Sequence, residues 1–224
     1  MQLSELLRRF RVEANDKVLP YFNEDEDVTA WLNEAVEEAC IRGRLIHEAV
    51  NADICRITVS QGNSLYPLHE SLYEISFLAF DVGHGQCIRP VEIVSPEYLD
   101  RCFRADWRTQ KGWPEYALQN DTAIQLVPEP DEAGELILNG YRLPLAPMQA
   151  DTDMPSDLFK GHHVHLVQWA LHKAFSIPDT EFFDPNRAEI AERKFSDYFG
   201  ERPDSDLRRM TREDTPQTVV TYLA

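Results

Sequence analysis

The chain has 224 residues, 43% of them hydrophobic, and a formal net charge of −17. That length suffices for one good core, or a main domain with a small insertion. The charge argues against a protein that grips nucleic-acid backbone, which needs Lys and Arg to replace counterions. It is compatible with solubility alone, or with letting DNA pass without adhesion, because a negative lumen repels phosphate.

No apolar run approaches the roughly 20 residues that span a bilayer. Residues 1–5 lack the basic and apolar regions of a signal peptide, so synthesis in the cytoplasm is expected, with no membrane partner. Cys40, Cys55, Cys87 and Cys102 are widely spaced with no Cys-x-x-Cys. This predicts free thiols rather than a zinc ribbon or redox pair.

The first 45 residues read as two helices. Leu3, Leu6, Leu7, Phe10 and Ala14 recur at helical spacing, and Pro20 then breaks the chain. Glu24, Asp25, Glu26 and Asp27 suit the positive end of the next helix. Val28, Trp31, Leu32, Ala35, Val36, Ala39 and Cys40 form its buried face, with Asn33, Glu34, Glu37, Glu38 and Arg42 opposite and Gly43 as the stop. From residue 53 the period changes to two. Cys55, Ile57 and Val59 predict a half-buried strand, and Gln61, Gly62 and Asn63 a turn. Tyr73, Ile75, Phe77 and Ala79 alternate with a second, partly apolar face that includes Leu78 and Phe80, so that strand is expected to be covered on both sides. Gly83, His84 and Gly85 suggest another turn, residues 88–91 a short strand, and Ser95 with Pro96 a short helix over 96–103. Residues 112–116 read as a loop. Strands follow over 123–127 and 135–143, expected to join as a hairpin through Pro128, Glu129, Pro130 and Asp131.

After an extended, proline-punctuated arm from Arg142 and an acidic turn near Asp151 and Asp153, two helices close the pattern. In the first, Val164, Val167, Leu171, Ala174 and Phe175 form a stripe that Leu166 and Trp169 widen, which predicts a central helix. In the second, Asp184 caps, Pro185 occupies the first turn, and Ala188, Ala191, Phe195 and Phe199 are buried, with Gly200 as the end. Residues 201–224 lose this periodicity until Thr218, Val219, Val220, Thr221, Tyr222 and Leu223, a β-prone apolar end.

The fold class is therefore α+β: a helical bundle from residues 3–45 and 160–200, a β-rich block over 53–143, and an extended tail over 201–224. Residues 1–200 are expected to form a single domain.

Candidate chemistry is sparse. His162 and His165 could share a helix face, which keeps open a small metal-dependent enzyme or ligand-binding protein. The further carboxylates of helical metal sites are missing, however, and these imidazoles, with His163 between them, are expected in an exposed first turn. Asp151, Asp153 and Asp157 fail the calcium-loop pattern, since its glycine and final glutamate positions hold Ser156 and His162. Capping of the following helix is the expected role of these acids. Phosphate-cradling and nucleophile-elbow motifs are absent. No catalytic residue, metal or cofactor is assigned. Phe103, Trp107, Trp113 and Tyr116 surround Arg101, Arg104, Arg108 and Lys111, the one locally basic segment. Either a nucleic-acid platform or a subunit contact fits it. The acidity of the remaining chain favours the contact, with Arg104, Trp107, Arg108 and Trp113 as candidates.

The helix from Trp31 to Arg44, the segment Gly112, Trp113, Pro114, Glu115 and Tyr116 followed by residues 124–130, and above all residues 151–175 and 184–195 resemble the bacteriophage head-to-tail adaptor, or connector, proteins. The resemblance covers most of the chain. It implies a non-enzymatic virion protein that forms a ring, commonly a dodecamer, between the portal and the tail or nozzle protein and lets genomic DNA through. It also implies assembly in the host cytoplasm and a C-terminal segment that reaches the portal or a neighbouring subunit, here Thr218 to Leu223. Glu129, Asp131, Glu132 and Glu135 are candidates for an acidic channel surface.

Overall fold

A computed structural model describes residues 1–83, 88–104, 106–155 and 157–203. In chain order the elements are α1 (Leu3–Ala14), α2 (Asp25–Gly43), β1 (His47–Glu48), α3 (Ala52–Cys55), β2 (Arg56–Val59), β3 (Leu65–Pro67), β4 (Leu72–Asp81), β5 (Arg89–Pro90), β6 (Glu92–Ile93) and α4 (Pro96–Phe103). A 3-10 turn at Asp106–Arg108 leads to β7 (Lys111–Gly112), β8 (Tyr116–Gln119), β9 (Ala123–Val127), β10 (Glu129–Pro130), β11 (Gly134–Arg142), α5 (His163–Ser176) and α6 (Pro185–Phe199). The fold is α+β, with terminal helices around a β-rich middle. The described chain forms two compact units. One is helical, Met1–His47 with Tyr141–Arg202, and the other is built on Glu48–Gly140.

In the helical unit α5 is the hub: α1, α2 and α6 all pack against it. Its residues Leu166, Val167, Ala170, Leu171, Ala174 and Phe175 are buried, a stripe too wide for one neighbour to cover. Leu3, Leu6 and Phe10 of α1, Val28, Leu32 and Ala35 of α2, and Ala188, Ala191 and Phe195 of α6 complete this core. Local chemistry sets the ends. Asn15 closes α1 in the left-handed region at φ 65°, a conformation asparagine tolerates. Asp184 accepts from the N–H groups of Asn186 and Arg187 at the start of α6.

Two expectations need correction in this unit. Glu38 and Arg42 are not on a solvated face. Arg42 Nε donates to Glu38 at 2.8 Å, its Nη1 to the Ser196 hydroxyl at 2.7 Å, and the pair is buried. An acid and a base one turn apart satisfy each other, so periodicity alone misplaces them. As expected, α2 stops at Gly43, and Arg44 after it takes the left-handed conformation at φ 49°. A Cβ on Gly43 would meet Leu45 Cδ2 at 2.7 Å, so this glycine makes room for a side chain. Trp31 is half-buried rather than fully in the core, its ring 6.4 Å from that of Phe10.

In the second unit one sheet has β4 between β11 and β5, with β2 also on β11. A second runs β3-β9-β8-β6, and β10 pairs with β7. The main core includes Ile54, Leu78, Phe80, Ile124, Leu126, Leu136 and Leu138. A smaller one joins Val94, Leu99, Trp107, Leu118 and Val127. The helix over 96–103 forms as its cap predicts, with Ser95 Oγ accepting from Tyr98 N–H at 3.2 Å. A Cβ on Gly140 would lie 2.3 Å from the Glu74 carbonyl, so only glycine lets β11 approach β4 this closely.

Here too the structure revises expectations. The strands over 123–127 and 134–142 do not make a hairpin. β9 pairs with β3 and β8, β11 lies in the other sheet, and β10 between them pairs in parallel with β7. Cys55 ends a helical turn instead of opening a strand. In β4, Leu78, Ala79 and Phe80 are consecutive buried residues, as two-sided cover requires, but Phe77 is exposed. Of the turn proposed at residues 83–85, His84 and Gly85 lie outside the described residues, as does Cys87. Of the described cysteines, Cys40 and Cys55 are buried and Cys102 is exposed.

Replacing Phe10, fully buried at the α1–α2–α5 junction, by alanine should cost about 3–5 kcal/mol in urea unfolding. Trp31→Ala should cost clearly less, because part of that ring already meets water. Equal losses would contradict this packing.

Candidate interaction surfaces

The arm after β11 is held at fixed points. Arg142 is buried, and its Nη1 donates to Asp157 at 2.9 Å. Asn33 of α2 grips the backbone of Met148 from both sides, accepting from its N–H at 2.9 Å and donating to its carbonyl at 3.0 Å. The Asp153 carboxylate accepts from the N–H groups of Gln149 and Ala150, and these bonds hold its pKa below the ordinary aspartate value. The backbone carbonyls of Asp153 and Asp151 take the N–H groups of Leu3 and Ser4 at 2.8 and 3.1 Å. The acidic turn therefore satisfies the open N-terminus of α1 through its backbone, not the following helix through its carboxylates as expected. The donors left over by a helix start must be met by some acceptor, and the arm supplies it from far along the chain.

His162, His163 and His165 each have partners within the fold. His163, expected in an exposed turn, is 2% exposed. Its Nδ1 faces the amino terminus of Met1 at 2.7 Å and its Nε2 the Leu158 carbonyl at 3.3 Å. The ammonium can only donate, so Nδ1 is the acceptor and Nε2–H the donor. His165 stacks on Tyr198 with centroids 3.5 Å apart, and His162 meets the Tyr198 hydroxyl at 3.2 Å. Among the described residues no group of three or more His, Cys, Asp or Glu side chains is placed to hold a metal ion. The Cys40 thiol is pushed up to about 12 by burial, which leaves it protonated and unreactive.

A different feature stands out at the α1–α2 connection. Asp16, 5% exposed, accepts from Arg11 Nη1 at 2.6 Å, from Phe22 N–H at 2.9 Å and from Asn23 N–H at 3.0 Å. Burial pushes its pKa up, but the bonds from Phe22, Asn23 and Arg11 outweigh that and hold it below the ordinary value. Arg11 reaches on to Asp25 at 2.6 Å and lies 4.1 Å from the centroid of Tyr21. The loop so fastened turns apolar side chains outward: Val18 is 79% exposed, Leu19 73% and Phe22 46%. Phe22 stacks on Phe182 at 5.0 Å, which brings in the loop after α5 with Phe183, 48% exposed.

The basic aromatic segment divides between two cores. Trp107 is buried in the smaller one, where its Nε1 donates to Asp100 at 2.8 Å. Arg108 pairs with the same carboxylate at 2.7 Å and lies 4.1 Å from the Trp107 ring centroid. Trp113 packs on the main core, edge-on to Phe80 at 5.2 Å. Arg101 and Arg104 are exposed at the end of α4. Of the acidic candidates, Glu129 pairs with Lys111 at 2.8 Å and Glu135 with Arg56 at 3.7 Å, while Asp131 and Glu132 are exposed. Thr218, Val219, Val220, Thr221, Tyr222 and Leu223 lie outside the described residues.

The profile of the family described as SU10 adaptor protein matches residues 1–220. The chain belongs to the SU10 adaptor protein family. It is thus a structural protein of a bacteriophage head-to-tail adaptor family, as its sequence resemblance implies. No curated protein matches it. No helix among the described residues of this adaptor is long and apolar enough to cross a membrane.

Sequence reasoning missed the adaptor's loop over residues 16–23. The signal was present as Val18, Leu19, Tyr21 and Phe22 around Pro20, four large apolar residues in a segment too broken to bury them in a helix face.

His163 predicts a pH dependence. Burial, then the nearby amino terminus, lowers its pKa from the ordinary 6.5. The unfolded chain therefore takes up a proton that the folded one refuses. Stability is fully present above about pH 6.5 and falls as pH drops toward the folded-state value. Thermal unfolding between pH 8 and 5.5 should show a declining Tm that His163→Gln flattens; an unchanged slope in the variant would refute the assignment.

Proposed function

We propose that this adaptor is the repeating subunit of a ring, by family resemblance a dodecamer, that joins the portal to the tail or nozzle protein and surrounds the DNA path. The observation that carries the reading is the family match over residues 1–220. In this reading the chain assembles in the host cytoplasm and remains in the virion. DNA passes without specific binding: at a net charge of −17 the ring repels phosphate, and Glu129, Asp131, Glu132 and Glu135 are the proposed lining. The segment 201–224 carries the portal or neighbour contact through Thr218 to Leu223, adding as a strand to a partner's edge.

Electron microscopy of the chain mixed with purified portal should show a ring on one portal face. Portal that stays bare at saturating chain would overturn the reading. Deleting residues 204–224 should leave the Tm nearly unchanged and abolish that attachment; normal attachment would move the portal contact elsewhere. The isolated chain should not retard double-stranded DNA at physiological salt, and tight binding would contradict an acidic lumen.

A further inference from the structure

Two surfaces of the chain are chemically complementary. Residues 17–27 hold one cation, Lys17, and four carboxylates, Glu24, Asp25, Glu26 and Asp27, all exposed. Beside them stand the exposed Leu19 and Phe22, and through the Phe22–Phe182 stack also Phe183. Residues 101–111 are the reverse, with four cations against the single carboxylate Asp106. Arg101 and Arg104 project from this segment into solvent.

Aromatic faces set among carboxylates are a receptor for guanidinium, which stacks on rings and pairs with carboxylates at once. The chain already uses this device internally. Arg11 lies over Tyr21 while bonded to Asp16 and Asp25, and Arg108 lies over Trp107 while bonded to Asp100. The loop bearing Leu19 and Phe22 is also preorganised by the buried Asp16, which removes ordering cost from binding. Grouped exposed apolar side chains mark interaction sites, and Val18, Leu19 and Phe22 are exposed on one loop.

We infer that the aromatic, acid-rimmed surface at Leu19, Phe22 and Glu24 receives Arg101 and Arg104 of a second copy of this chain. Two acid-rimmed surfaces facing each other would place like charges together, so the acid-rimmed surface of one copy meets the basic segment of another, and in the ring reading each copy uses its two surfaces on two different neighbours. A heterologous contact propagates from copy to copy and makes a ring when its rotation closes. The inference rests on the ring reading above and names the surfaces that build it.

The test uses the full chain in sedimentation velocity from roughly 1 μM to 1 mM, where weak specific association is read. Leu19→Ser with Phe22→Ser removes the receptor, and Arg101→Ser with Arg104→Ser removes the guest. Glu24→Lys with Glu26→Lys serves as a second receptor variant that leaves the Phe22 stack intact. Circular dichroism checks that each is folded. Wild type should associate, and each variant should lose at least about tenfold in association constant, as when interface anchors are removed. An equimolar mixture of the two serine variants should stop at pairs, since only one native contact can form. A monomeric wild type, a variant that associates like wild type, or a mixture that grows past pairs would each overturn the contact. Rings on portal that tolerate Arg101→Ser with Arg104→Ser would overturn it while leaving the ring reading intact; bare portal with wild type would instead overturn the ring reading.

Discussion

The helical unit depends on one constraint, the need to cover α5 on several sides. Its buried residues span more of its circumference than a two-helix contact can shield. The partners come from both ends of the chain, α1 and α2 from one and α6 from the other. Closing those termini onto α5 requires the residues between them to leave and return, and Glu48–Gly140 do so as a compact unit of their own. Burial of apolar area supplies the drive. It is not directional, so it does not choose loop conformations or the path of the arm.

Those choices fall to a few ion pairs in which at least one member is buried. Arg11 with Asp16, Arg42 with Glu38, and Arg142 with Asp157 each sit where the chain must be pinned. A buried pair gains little unless further hydrogen bonds satisfy its remaining atoms. Asp16 meets that condition through the backbone of Phe22 and Asn23, Arg42 through Ser196 and the Gly200 carbonyl, and Arg142 through the Leu143 carbonyl. Each pair thereby anchors a non-repetitive segment: the loop that presents Leu19 and Phe22, the end of α6, and the start of the arm. The loop that carries Leu19 and Phe22 depends on its polar anchor as much as on the apolar core.

Several titratable groups are likewise engaged in holding the fold. His163 is spent on the amino terminus and a carbonyl, His165 on a ring stack, and Asp153 on a turn. Each has a neighbour that explains its position in terms of fold. In the function proposed above, the acidity left on the surface repels polyanions and favours cationic partner surfaces.

Much of this was legible in the residues. The apolar spacing of α1, α2, α5 and α6, the caps at Ser95 and Asp184, and the change to period two after residue 53 rest on local geometry, which neighbouring residues report directly. The family resemblance rested on the arm and the closing helices, where motif order survives without contacts. Local pattern could not see long-range pairing. That β9 and β11 enter different sheets, that the Asp151 and Asp153 carbonyls meet Leu3 and Ser4, and that Glu38 and Arg42 lie inside depend on partners distant in sequence. Periodicity determines which face of an element is apolar. Which strand a strand pairs with, and which polar groups that face can shelter, is decided only when the partners' backbone donors and charges are brought within hydrogen-bond reach.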